Sequence, residues 1–175
     1  NTVYDATGVS LSATKTGYTC FVLGTIPTTI TDNVTGLSVS CTADARTITV
    51  TNAAGATVSI VGTTESSSLN PAVLNTVYDA TGVSLSATKD GYSCSVNGAV
   101  PSSITDDVTG LSVSCTANDY TISVDNSSGA EVSINNSTGL NTPSSATSII
   151  FNVKGGDLGV SLSATKTGYT CLVGG

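Results

Sequence analysis

Of the 175 residues only 10% are charged, with five Lys and Arg against twelve Asp and Glu, a net charge of −7 and a pI near 4.1. So few cations make no basic stripe, so nucleic acid and anionic lipid surfaces are not expected as partners. Histidine is absent, which removes Ser-His-Asp triads, Cys-His dyads and His-bearing metal sites. No apolar run approaches the roughly 20 residues of a membrane span, so membrane insertion is not expected.

What remains is rich in hydroxyls: 30 threonines and 26 serines, with no methionine and no tryptophan. That balance fits an extracellular or cell-surface β protein kept soluble by hydroxyls and attached sugar. Val, Ile and Leu recurring at alternate positions argue against disorder, the other reading of so polar a chain.

From the start of the chain, Asn1 to Ala43 form a block that returns at Asn75 to Ala117, offset by 74, with 34 of 43 positions identical. Part of it returns again as GVSLSATKTGYTC at Gly159 to Cys171. Most changes between the first two copies preserve size or polarity. Phe21/Ser95 and Leu23/Asn97 do not, which marks an outward-facing stretch. A catalytic domain rarely needs itself again 74 residues on, whereas a stalk, fibre or adhesin gains reach from each copy. The repeat phase is cut at both termini. A window on a longer polypeptide and an assembly subunit whose ends complete its neighbours are both expected readings of that cut.

After the first block, Thr47-Ile48-Thr49-Val50-Thr51 and Ala56-Thr57-Val58-Ser59-Ile60 alternate apolar with hydroxyl side chains, the period of a half-buried strand. Asn52-Ala53-Ala54-Gly55 separates them, and Asn126-Ser127-Ser128-Gly129 stands at the matching place later; Asn opening and Gly closing a short connection predict hairpins. A polar, Ser-rich crossing at Ser66 to Pro71 follows. Within the second block, Val83-Ser84-Leu85-Ser86-Ala87 and Leu111-Ser112-Val113-Ser114-Cys115 alternate again. No helical cap precedes a 3.6-residue apolar period anywhere, so the expected fold is all-β. Its units number three: a partial one over 1–44, a complete one over 45–117, and one lacking its closing strand over 118–175. The complete unit is read as a strand pair, the Ser-rich crossing, the Val83 strand, a Gly-Tyr-x-Cys strand and the closing strand.

That order resembles the PEGA and carboxypeptidase-regulatory-like family of small Ig-like β-sandwiches. The residues carrying the resemblance are ITVTNAAGATVSI at Ile48 to Ile60 and VSLSATKDGYS at Val83 to Ser93. It implies tandem Ig-like β-sandwich repeats of roughly 75 residues, end to end, in a non-catalytic surface or spacer module. The expected role is therefore a structural segment of a microbial surface fibre whose partners are other copies of itself. An adhesin or carbohydrate-binding module is the alternative, weakened by the lack of Trp.

The cysteines predict staples. Cys20 and Cys41 lie 21 apart, as do Cys94 and Cys115, and matching units should close matching bonds. Cys171 aligns with Cys20 and Cys94, and its mate is expected outside the chain. Paired bonds imply an oxidising compartment. Sequons at Asn33, Asn126, Asn135 and Asn136 predict N-linked sugar, and Ser66, Ser67 and Ser68, with Pro143-Ser144-Ser145, are candidate O-glycan stretches. Covalent glycans are thus expected, and no cofactor. Asp32, Asp106 and Asp107 are expected as solvated turn residues rather than calcium ligands, and Lys15, Lys89 and Lys166 as exposed turn residues. Tyr18, Tyr92 and Tyr169 should pack over unit ends, while Tyr4 and Tyr78 are weak glycan-binding candidates.

Overall fold

The computed structural model describes residues 5–174, and among them every regular element is a strand. The first block contributes β1 (Ala6–Thr7), β2 (Tyr18–Leu23), β3 (Thr29–Ile30) and β4 (Ser38–Ala43). Between the blocks lie β5 (Ala45–Thr51), β6 (Thr57–Ile60), β7 (Ser66–Ser67) and β8 (Ala72–Val77). The second block supplies β9 (Ala80–Thr81), β10 (Leu85–Thr88), β11 (Tyr92–Asn97), β12 (Ser103–Ile104) and β13 (Val108–Ala117). After it come β14 (Asp119–Asp125), β15 (Glu131–Asn135), β16 (Ser148–Lys154) and β17 (Ser161–Thr165).

Residues 45–117 hold the larger core. One sheet runs in the order β11-β13-β5-β8 and another in the order β10-β6-β7. Each alternating strand turns its apolar set one way: Ile48 and Val50 from β5, Leu74 from β8, Leu111 and Val113 from β13, and Val58 and Ile60 from β6 join a single buried cluster. The hydroxyl positions between them face out, as a period of two requires. Phe21 and Leu23 are exposed, and so are Ser95 and Asn97, which explains why those positions differ between copies. The Ser-rich crossing proves shorter than its composition implied, because Ser66 and Ser67 pair with Ser59 and Val58 as β7.

The direction of one pairing fixes which strands complete which block. β13 lies parallel to β5, with Val108 opposite Ile48 and Leu111 opposite Val50. Parallel neighbours need a crossover of a dozen or more residues. Only Asp44 separates β4 from β5, so β5 cannot lie parallel beside the block it directly follows. It folds onto the block after it instead.

Residues 118–174 repeat the first half of this arrangement. β14 pairs with β16 as β5 does with β8, and β15 pairs with β17 as β6 does with β10. A second core forms from Val132, Ile149 and Phe151, with Ile122, Val124 and Leu162 against it. In residues 5–43 only β2–β4 and the short β1–β3 pair form.

Candidate functional site

Two kinds of site emerge: the joints between repeats, and the surface positions open to modification. Each joint is centred on a single residue. Asp44 donates its backbone N–H to the Gly17 carbonyl at 2.9 Å and accepts from the Tyr78 N–H at 2.8 Å. Asn118, 74 positions later, donates to Gly91 at 2.8 Å and accepts from Gly155 at 2.8 Å. The side chains repeat the motif: Thr19 Oγ1 donates to Asp44 Oδ1 at 2.8 Å, and Ser93 Oγ to Asn118 Oδ1 at 2.6 Å. The same backbone scheme is thus built twice, with no linker peptide in either.

At the second joint this closeness demands glycine. Gly91 has φ +77°, and a Cβ built on Gly155 would fall 1.7 Å from the Gly91 carbonyl oxygen. The side-chain surroundings differ. At the first joint Tyr18 and Tyr78 meet edge to face, 5.7 Å between ring centres, with the Arg46 guanidinium 5.5 Å from the Tyr78 ring. This packing gives Tyr78 a structural place. At the second joint the corresponding position is Gly155, and Lys154 forms an ion pair with Asp119 instead. Tyr4 lies outside the described residues.

Both predicted bridges are present, Cys20–Cys41 and Cys94–Cys115. In each, the two cysteines stand directly opposite one another on antiparallel neighbours, β2 with β4 and β11 with β13. Their Cα atoms are 4.0 and 4.1 Å apart, the close spacing of a non-hydrogen-bonded pair. Cys171 is a half-buried free thiol. Two disulfides fit an oxidising compartment.

The lysines before each Gly-Tyr reach further than turn residues need to. Lys15, Lys89 and Lys166 each place Nζ over the following tyrosine ring, at 3.4, 4.5 and 4.9 Å from its centre. Lys89 is half-buried and also donates to the Ala54 carbonyl at 2.7 Å, and Lys166 to that of Ser128. Both acceptors sit in the Asn-x-x-Gly turns, which do not close the expected hairpins: β5 and β6, like β14 and β15, pair with other strands, so each turn carries the chain from one sheet to another. Tyr18 and Tyr92 are half-buried, and Tyr169 is exposed. Asp32 and Asp106 are exposed; Asp107 is exposed too but accepts the Thr47 N–H at 2.8 Å, holding the start of β13 to β5. Among the described residues no three His, Cys, Asp or Glu come together as a metal site would require.

The sequons fall into two groups. Asn33, Asn135 and Asn136 are exposed. Asn136 stands in the left-handed region at φ 58° and donates Nδ2 to the Gly159 carbonyl at 2.9 Å. Substitution of that nitrogen by a sugar leaves one hydrogen for the bond. Asn126 is different and corrects the expectation: it is 4% exposed, and Nδ2 donates to the Ala130 and Ala146 carbonyls at 2.8 and 3.0 Å. Its Oδ1 accepts the Ala130 N–H. Both amide hydrogens are committed inside the fold, and a glycan has no room there. Asn52, which is not in a sequon, makes the same bonds to Ala56 and Leu69. Recurrence of Asn at both turns, with the sequon at only one, was the signal that the residue is structural. Ser66 and Ser68 are exposed and Ser67 half-buried, its Oγ accepting the Leu69 N–H; Ser145 is exposed and Ser144 bridges to Val132.

Compared with protein-family models, curated proteins and solved structures, the chain matches none of them.

Proposed function

We propose that this chain is a non-catalytic structural segment of an extracellular, glycosylated surface fibre built from tandem Ig-like β-sandwich units. The observation that supports it most directly is the repetition of the joint at Asp44 and Asn118. The same backbone bonds at successive joints tie unit to unit with no linker between them, which is what a rod or fibre needs. A flexible chain of binding modules needs linkers instead. The shared core of the β11-β13-β5-β8 and β10-β6-β7 sheets supports the sandwich reading. The two disulfides support the extracellular one.

Electron microscopy of native material tests the fibre: filaments with an axial repeat of one unit are expected, and dispersed single chains would overturn it. Glycopeptide mass spectrometry tests the sugar. Occupancy is expected at Asn33 and at Asn135 or Asn136, with Asn126 bare; a mass equal to the bare polypeptide would sink the glycoprotein reading alone.

A further inference from the structure

An open sheet has two outermost strands, and the backbone groups that point outward from them have no partner within the sheet. β8 is such a strand, lying at the end of the order β11-β13-β5-β8. The Tyr78 N–H bonds to the Asp44 carbonyl, so by alternation Thr76, Leu74 and Ala72 turn their backbone groups to β5, while Val77, Asn75 and Val73 turn theirs outward. β16 is set the same way against β14. The Asn126 N–H bonds to the Thr147 carbonyl, which points Lys154, Asn152, Ile150 and Ser148 away from β14.

Side chains meet these outward groups at matching places. On β8 the Glu65 carboxylate accepts the Asn75 backbone N–H at 3.2 Å and the Asn75 side-chain N–H at 3.4 Å. On β16 Asn141 bonds both ways with Asn152, its Oδ1 accepting the N–H at 2.7 Å and its Nδ2 donating to the carbonyl at 2.7 Å. That is the pair of bonds a residue of a neighbouring strand would make. Ser137 Oγ donates to the same carbonyl at 2.7 Å, and Asp157 accepts the next outward N–H, that of Lys154, at 2.9 Å. Asn75 and Asn152 hold equivalent register positions, opposite Thr47 and Thr121. Glu65 and Asn141 come from connections that differ in sequence and length, so the same place is closed by different means.

We propose that Glu65 on β8, and Asn141 with Asp157 on β16, close the outer edges of these sheets against strand addition by another copy of the chain. An incoming strand bonds to every second residue of the edge it joins. With the Asn75 N–H taken, Val73 and Val77 stand as separate points on either side of it. With Asn152 and Lys154 taken, Ser148 and Ile150 are what β16 has left to offer. An added strand would have to displace the Glu65 carboxylate, and covering that charge without its partner is costly. The strands themselves invite pairing. Val73, Val77 and Ile150 are 47, 47 and 63% exposed, and Lys154 is the one charged residue on either strand. The closure is independent of the joints and of what the units build end to end.

Glu65→Ala and Asn141→Ala in the full chain test the two edges, each also combined with a lysine on the opened strand, Val73→Lys or Ile150→Lys. Amide exchange followed by NMR should run about fivefold faster at Asn75 in the first variant and at Asn152 in the second, the factor that one hydrogen bond of ordinary net strength sustains. Light scattering at equal concentration should show both alanine variants more associated than the parent. The added lysines should abolish that gain, because a charged side chain on an edge strand blocks pairing. Alanine variants no more associated than the parent overturn the proposal. So does association that persists with the lysines in place, which would come from partial unfolding. Glu65→Ala breaks no backbone–backbone bond, so it decides the matter alone if Asn141→Ala fails to fold.

Discussion

Lys89 ties together two turns that are 35 residues apart: its Nζ donates to the Ala54 carbonyl at 2.7 Å while lying over the Tyr92 ring. The first turn carries the chain from β5 in one sheet to β6 in the other and the second leads from β10 into β11, so one side chain ties together two crossings between the sheets of residues 45–117. Lys166 repeats the bond to Ser128.

Replacement of Lys89 by Met keeps the stem and removes the charged donor. A half-buried charged hydrogen bond, with its cation–π contact, is worth about 1 kcal/mol. Denaturant melts of Lys89→Met should show that loss. Lys15→Met should show less, since Lys15 makes no bond to an Asn-x-x-Gly turn among the described residues.

Asn52 and Asn126 each bond three backbone groups from a buried position. Asn52→Ala strands the Ala56 N–H and two carbonyls, and should cost about 3 kcal/mol. Asn52→Asp should be no better, because a carboxylate cannot donate to Ala56 and Leu69 and would be buried with a charge. Both are read from thermal or urea unfolding monitored by circular dichroism. A loss under 1 kcal/mol would show that water replaces the amide.

Cys94→Ala with Cys115→Ala opens a loop of 21 residues. In the chain-entropy account closure of such a loop contributes about 3 kcal/mol. The double variant should unfold at correspondingly lower denaturant, and adding reductant to the parent chain should reproduce the shift.

Asp157 organises the loops around β16. Its carboxylate accepts the Lys154 N–H at 2.9 Å, the Thr138 hydroxyl at 2.6 Å and the Thr138 N–H at 3.1 Å. The Lys154 N–H, then the Thr138 hydroxyl, hold its pKa below the ordinary value of 3.8. A depressed carboxyl stabilises the folded loop above that ordinary value and loses its effect as pH falls through the lower, folded one. NMR shifts of the Thr138 and Lys154 amides should therefore titrate below pH 3.8. In Asp157→Asn that transition should vanish.

How far the sequence could be read depended on whether the signal was local. Alternation at Thr47 to Thr51 and Leu111 to Cys115, the Asn-x-x-Gly turns and the matched cysteine spacing each lie within a few residues or an exact repeat, and each led to the observed element. Ser66 and Ser67 carry no period at all, so β7 was invisible. The parallel β13–β5 pairing joins residues about 60 apart and leaves no local mark. Most telling is LSAT, which is a strand at Leu85 and Leu162 but not at Leu11. Its propensity is constant; what varies is the presence of β6 or β15 beside it. The joints were hidden for a related reason, since Asp44 and Asn118 act through backbone groups that every residue possesses.

The cross-strand bridges have a mechanical consequence. Chain tension entering at Asn118 passes at once into β13, whose Cys115 is bonded to Cys94 on β11. The chain from one to the other, a separation of 21 residues, would span about 70 Å if pulled straight, at roughly 3.3 Å per residue. The bond withholds that length, so a stretched array stiffens at each bridge before its loops can pay out. Reduction would convert the same material into an extensible one.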